Sequence, residues 1–337
     1  MTFSFKDLCH VLNEAFPTPE YLTLNPSGID IASDDVYFMK LKKTKNGLLP
    51  DKYEKIPFNK NIDINETLTT EDRDTVVKAL IQLKNKYNLE YIFASLPEQK
   101  TYIFSTLLPK EATKDIPSYI RYQIEENVPM AANDVNFYYF TTGELNKKGD
   151  IGVVVSVFPK QVTDLYTSIF SDAELSPISF LAESRALFHS LVKEGDRTPY
   201  LLVRLLPNRV SVSVLENCIV QYTTDVQVSA DNILKSLQGT EAIALKEALN
   251  KVLIYWFTSK KDLTEHKKIE NVLIAGNGAD NSEIIDFLER SLKINVDTGN
   301  VWTNCFDLKK HVPEIDQKTS LDYAVVIGLA IRCINYA

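Results

Sequence analysis

Apolar positions along the chain fall into stretches of helical period and stretches of strand period. Residues 1–16 carry Phe5, Leu8, Val11, Leu12 and Ala15 at helical spacing, ended by Pro17 and Pro19. Such a helix has an apolar face that either packs on the body or recruits a partner. A short strand over 21–25 follows, then an extended run from Gly28 with apolar alternation at Val36, Phe38 and Leu41. Residues 43–55 read as a polar connection, and another extended piece centres on Ile56 and Phe58. Residues 71–88 predict an amphipathic helix with acidic residues in its first turn and lysines toward its end, as the helix dipole favours. The helix feeds a buried strand over 89–97, which Pro97 stops. The order strand, strand, strand, helix, strand differs from a simple alternating parallel pattern and puts antiparallel strands into one sheet.

Residues 98–160 change character. Extended runs over 101–109 and 133–145, a helix over 118–127, a turn at 146–150 and a β-branched strand over 151–158 make a unit the size of an inserted subdomain. A helix over 161–175 and a strand-to-helix run over 178–192 come next, and 193–199 reads as a lobe boundary. The second lobe opens with strands over 200–215 and 218–228. It continues with a helical stretch over 231–261, broken near Gly239, and with strand, glycine turn, helix and strand over 269–299. A final helix is predicted over 320–336, capped by Thr319 or Ser320. Two lobes that each open with strands around a turn and each close with a helix suggest a duplicated α/β fold.

Length agrees with two lobes, since 337 residues exceed the roughly 250–300 at which one core stops growing. Forty-five acidic against 37 basic side chains give a net charge of −8, and no basic run exceeds Lys-Lys, which argues against nucleic acid as a partner. Cys9, Cys218, Cys305 and Cys333 show no CxxC spacing, and His10, His189, His266 and His311 are equally scattered. Neither a disulfide framework nor a metal site is expected, and the pattern suits a reducing compartment. The N-terminus reads as no signal peptide, and the apolar run near the end, about a dozen residues, is too short to span a bilayer. The expectation is a cytoplasmic protein that meets a membrane only through a partner. The sequence contains no GxSxG, GxxxxGK[ST] or GxGxxG motif. The adjacent pairs Asp34-Asp35 and Glu125-Glu126 form no acid/base dyad by themselves, so no catalytic residue is assigned.

Three stretches carry a resemblance. GIDIASDDVYFMKL (28–41) is similar to a first phosphate-strand pair, and IRYQIEENVPMAANDVNFYYF (120–140) to the signature of an inserted subdomain. NVLIAGNGADNSEIIDFLERSLKINVDTGNVW, with SLDYAVVIGLAIR after it, is similar to an adenosine-side loop and terminal helix. In this collinear order, from Gly28 to Arg332, the chain resembles the PilM family of type IV pilus assembly proteins within the actin-like superfamily. The cell-division protein FtsA shares the insertion but normally adds an amphipathic membrane helix, which is not expected after Asn335-Tyr336-Ala337. The resemblance implies a two-lobed actin-like fold, ribonuclease-H-like and duplicated, with an FtsA/PilM-type insertion and a reduced IIB lid. It divides the chain into 1–97 (lobe I, first part, IA), 98–160 (inserted subdomain, IC), 161–198 (return of lobe I), 199–318 (lobe II, IIA with a short IIB) and 319–337 (C-terminal helix).

In this fold, two glycine turns present backbone amides to phosphates, and carboxylates organise Mg²⁺. The first turn keeps Asp30 and Ser33, but Ala32 replaces the expected glycine, Asp34 and Asp35 follow, and Tyr37 replaces the usual lysine. In the second, Arg204 stands for the aspartate and Leu206 for the glycine. Further on, Thr224, Val228-Ser229-Ala230 and Leu234 replace an arginine and a glycine–threonine run, while Gly276 and Gly278 remain. The expected remnant of a nucleotide site is therefore Asp30, Ser33, Gly276 and Gly278. An ion pair of Arg204 with Asp30 across the cleft is one expectation, and a tight strand-to-helix connection is the plainer role for the two glycines. No cofactor and no ATP hydrolysis are expected. The alternative is an actin-like ATPase holding Mg-ATP on divergent turns, its nucleotide state regulating partner binding or polymerisation.

The resemblance further implies a cytoplasmic scaffold that binds the N-terminal tail of a PilN-like membrane protein in a groove beside the inserted subdomain, with the pilus motor ATPase as a second candidate partner. Ile120, Ile124, Val128, Pro129, Tyr138 and Phe140 are the candidate contacts. Core packing is the plainer reading for Ile120 and Ile124, and Glu125 and Glu126 read as solvent-facing charges.

Overall fold

The computed structural model describes residues 26–64, 67–145, 148–259 and 267–336. The helix expected over 1–16 and the strand over 21–25 lie outside them.

Lobe I is built on a five-stranded sheet of order β3-β2-β1-β4-β8. Its strands are β1 (Ser27–Ile31), β2 (Asp35–Thr44), β3 (Gly47–Pro57), β4 (Tyr91–Leu96) and β8 (Ser176–Ala182). β1, β2 and β3 pair antiparallel, while β4 runs parallel to β1 and β8 parallel to β4. Helix α1 (Thr70–Tyr87) starts at an N-cap where the Thr69 hydroxyl accepts from the Asp72 amide, and it stops at Asn88 in the left-handed region. Its Val76, Leu80 and Leu83 join Ile169 and Phe170 of α3 (Lys160–Asp172) over Phe38 and Ile92 of the sheet.

Residues 43–55 are corrected from polar connection to strand, since most of them belong to β3. As an edge strand β3 is only partly covered, carries lysines and places Pro50 opposite Leu41 where the register shifts. An edge tolerates both features, and both hide the period of two.

Lobe II repeats the plan as β11-β10-β9-β12-β13. The strands are β9 (Tyr200–Leu205), β10 (Val210–Glu216), β11 (Ile219–Val226), β12 (Asn271–Gly276) and β13 (Asn295–Thr298). Helices α5 (Ala230–Lys235), α6 (Thr240–Ser259) and α7 (Ser282–Leu292) complete it. Between the lobes, α4 (Glu183–Leu191) and the last helix α9 (Ala324–Tyr336) lie on the inner face of the lobe I sheet. Met39, Phe93, Ala186 and Val325 there share one continuous core with Leu201, Val203 and Ile274 of lobe II. The C-terminal segment starts earlier than the sequence pattern indicates. A short helix α8 (Gln317–Asp322) is capped by Asp316, not by Thr319 or Ser320, and ends at Tyr323 before α9 begins.

β5 (Tyr102–Leu108), β7 (Ile151–Pro159) and β6 (Val135–Leu145) form a separate antiparallel sheet with β7 in the middle. One face is covered by α2 (Ile116–Asn127). The other turns toward the lobes: Tyr138 and Phe158 pack against the lobe I core, and Ser105 Oγ donates to Gln221 Oε1 of β11 at 3.4 Å. Among the described residues no helix is long and apolar enough to cross a membrane.

Candidate functional site

β1 and β9 hold the same place in their two sheets, and each carries one charged residue next to its end: Asp30 in β1, Arg204 in β9. A charge inside a buried apolar run needs a partner. Here the two charges partner each other across the cleft between the lobes, with Arg204 Nη2 at 2.8 Å from Asp30 Oδ2. The expected ion pair is present.

The pair is part of a longer chain of charges. Ser95 Oγ donates to the other oxygen of Asp30. Arg204 Nη1 lies 3.1 Å from Glu183 Oε2, at the start of α4. Glu183 Oε1 accepts from Arg209 Nη2 at 2.9 Å, and Arg209 Nε lies 3.2 Å from Asp225 Oδ2 in β11. All these side chains, Asp225 included, are buried to nine-tenths or more. Two lobe I carboxylates are thereby tied to two lobe II guanidiniums. Burial works against the charge on Arg204, but Asp30 and Glu183 outweigh it and hold its pKa above the ordinary value. Burial likewise pushes Glu183 up, and Arg209 and Arg204 overcome it, leaving the carboxyl below its usual range. At Asp30 burial wins over Arg204, and the carboxyl is raised.

The turns that follow β1 and β9 are equivalent as well. Ala32 N donates to Asp35 O and Leu206 N to Arg209 O, both at 2.9 Å. Their tips meet, with Ser33 Oγ 3.4 Å from Asn208 Oδ1. Tyr37 donates to Asp35, which also pairs with Lys55 at 2.8 Å.

Two cavities flank this bridge and share Ala32. The one beside the glycine turn, bounded by Tyr37, Arg204, Leu206 and Gly276, holds about 150 Å³. Ligand sites usually need roughly 300 Å³ or more. The other holds about 570 Å³ and places Asp63, Glu98, Glu183 and Asp225 in its wall against Arg209. Glu98 accepts from both the amide and the hydroxyl of Ser184 at 2.9 Å, and burial, with Glu183 and Asp225 nearby, raises its carboxyl to about 7.

Of the expected remnant residues, Asp30 and Ser33 lie at the bridge. Gly276 and Gly278 have structural reasons of their own. Gly276 has φ +90°, and a Cβ there would stand 2.2 Å from the Leu205 carbonyl oxygen; at Gly278, φ is +74° and the Leu234 side chain fills the space a Cβ would need. Leu234 thus packs over the turn.

The candidate partner contacts divide. Ile120, Ile124 and Val128 are corrected: they are buried in the core of the inserted subdomain with Val153, Val155 and Val157, so they offer no surface to a partner. Pro129 is exposed. Tyr138 and Phe140 are half-buried on the β6 face turned toward the lobes, in a T-shaped contact at 5.4 Å, and Arg185 lies 4.3 Å over the Phe140 ring. Glu125 and Glu126 are exposed.

Sequence reasoning gave no role to Glu183, Arg209, Asp225 or Glu98. Glu183 directly follows the apolar strand ISFLA, and that abrupt step from strand to acid was the available signal.

The duplicated sheets, the cleft between them and the inserted subdomain define a two-lobed actin-like fold of the PilM type. A chain of the PilM-PilN type IV pilus biogenesis complex superposes with a TM-score of 0.72 at 15% identity, covering 92% of this chain and 98% of that one. EutJ, an ethanolamine utilization protein from Carboxydothermus hydrogenoformans, gives 0.48 at 10% identity, with 91% of this chain and 89% of that one covered. The cytoplasmic domain of EpsL, from the type II secretion system of Vibrio cholerae, gives 0.47 at 9%, with 92% and 94% covered. No protein-family model and no curated protein matches the sequence.

Proposed function

We propose that this protein is a PilM-like scaffold of an inner-membrane pilus or related assembly complex, and that it binds the cytoplasmic tail of a PilN-like protein without using nucleotide. The observation that carries this reading is the Arg204 bridge to Asp30 and Glu183. Where an actin-like ATPase needs a metal-organising carboxylate and room for phosphates, this chain has a buried guanidinium already neutralised by protein carboxylates. The touching turn tips, the 150 Å³ left beside Gly276 and the acidic wall of the larger cavity point the same way. The residues present do not fit Mg-ATP, and no hydrolytic step is assigned. The likeness in fold to the PilM-PilN complex supports the partner, and the exposed Pro129 with the half-buried Tyr138 and Phe140 remain its candidate contacts.

Calorimetric titration of the full chain with Mg-ATP and Mg-ADP, then with a PilN-like tail peptide with and without nucleotide, tests the reading. Saturable peptide binding that nucleotide does not alter, with no heat from nucleotide alone, is expected. Tight Mg-ATP binding would overturn it in favour of a nucleotide-regulated protein.

A further inference from the structure

A separate cavity of about 430 Å³ lies away from the cleft, between α4, the β10–β11 turn and α9. Arg185 and Arg332 both line it. Arg185 is fixed in place: its Nη1 donates to the Cys218 carbonyl at 2.9 Å, and its guanidinium lies 4.3 Å from the Phe140 ring and 5.0 Å from the Phe188 ring. Lobe I, lobe II and the inserted subdomain therefore meet on this one side chain.

The charges here are not balanced as they are in the cleft. Arg73, Arg204 and Arg209 each pair with a carboxylate. Among the described residues, Arg185 and Arg332 have no carboxylate within ion-pair distance. Burial lowers the Arg185 pKa, and the nearby Arg332 lowers it further. His189 on the same wall is pushed down to about 2, by burial first and then by both arginines, so it adds no positive charge. The lining includes one carboxylate, Glu194, which is exposed. Two guanidiniums against one carboxylate leave a net lining charge of +1.

We propose that this cavity binds a small organic monoanion, a carboxylate on a short apolar body. Guanidinium forks match a carboxylate bidentately. Leu48, Phe188 and Ile331 supply the apolar wall. The volume lies within the roughly 300–1,000 Å³ of small-molecule sites. The lining charge selects a monoanion, because a dianion would leave one charge unmatched beside Glu194. An occupant held by Arg185 and Arg332 tightens the junction at which the three subdomains meet. The chemistry of this site does not rest on the proposed scaffold role, although its Arg185 lies over Phe140, a candidate partner contact.

The full chain is titrated with sodium 3-phenylpropionate at constant ionic strength, with 3-phenylpropanamide and inorganic phosphate as comparators. Binding is followed by calorimetry and by the histidine ring resonances in NMR. Saturable one-to-one binding of the carboxylate is expected, with none of the amide and weaker binding of phosphate. Saturation should also raise the His189 pKa, because the anion offsets the two guanidiniums. The Arg332 side chain makes no hydrogen bond or ion pair to a described residue, so Arg332→Met should fold as the parent does and bind about tenfold more weakly, while Arg332→Lys recovers part of the loss. No saturation into the millimolar range, an Arg332→Met variant that binds equally well, or tighter binding of phosphate would each overturn the proposal.

Discussion

Glu98 follows β4 in the chain, yet its carboxylate accepts the Ser184 amide and hydroxyl in the first turn of α4. Its pKa of about 7 lies above the ordinary 4.5, chiefly because of burial. The folded state therefore holds a proton that the unfolded state releases. The stability this provides is full below about pH 4.5 and is lost as pH rises through 7, by a total on the order of 3 kcal/mol. Glu98→Gln keeps a neutral side chain at every pH. Urea unfolding of both proteins at pH 5 and pH 8 should show the variant gaining on the parent as pH rises, and a constant difference would exclude the assignment. Taking the difference cancels His189, whose depressed pKa gives the opposite slope below its ordinary value. Legibility at this scale was uneven. Asp30 and Arg204 stand out as charges inside the apolar runs GIDI and LLVRLL. Glu98, Glu183 and Asp225 sit at or near the ends of elements, where a charge is ordinary; the packing of α4 against the cleft gives Glu98 and Glu183 their partners, and the β10–β11 pairing with Arg209 gives Asp225 its own.

At the scale of elements, the period was legible wherever one face is buried and the other is wet. α1 is the clearest case, with its acidic first turn and buried Val76, Leu80 and Leu83; its Thr69 cap, like Asp316 at α8, was not read from the sequence. Most of β3 was missed because this edge strand is only partly buried on both faces, which hides its period of two, and α8 because its cap, Asp316, stands in a polar stretch with no apolar period before it. In the inserted subdomain the pattern identified α2, and the one-turn spacing of Ile120 and Ile124 indicated the face that meets the sheet, against their other reading as partner contacts. Ile120 and Ile124 are fully buried, whereas Tyr122 is 60% exposed. Ile124→Ala should therefore cost about 2–5 kcal/mol of stability through the cavity it leaves. Tyr122→Ala should stay within about 0.5 kcal/mol. Equal effects in thermal unfolding would contradict this orientation of the helix.

For the whole molecule, the decisive feature is that the charge bridge crosses between two sheets that are otherwise joined through the α4 and α9 core. Replacing one partner of a buried ion pair costs more than replacing both, because a lone charge is left without water. Arg204→Met leaves Asp30 and Glu183 facing each other and should lose about 3–5 kcal/mol. Asp30→Asn in the same chain should return part of that loss, with a coupling of about 1–3 kcal/mol in the double-mutant cycle. The pH dependence follows from burial, which already raises Asp30 in the parent and acts unopposed once Arg204 is gone. A raised folded pKa keeps its stability at low pH and loses it as pH rises through the folded value, so Arg204→Met should lie closest to the parent near pH 5 and furthest near pH 8. Hydrogen exchange separates a bridge from a local contact. If the bridge ties the lobes together, amides of β1 and β9 lose protection together in Arg204→Met. Loss confined to β9 would mean that Arg204 supports only its own sheet, and that the cleft is free to open around Asp30.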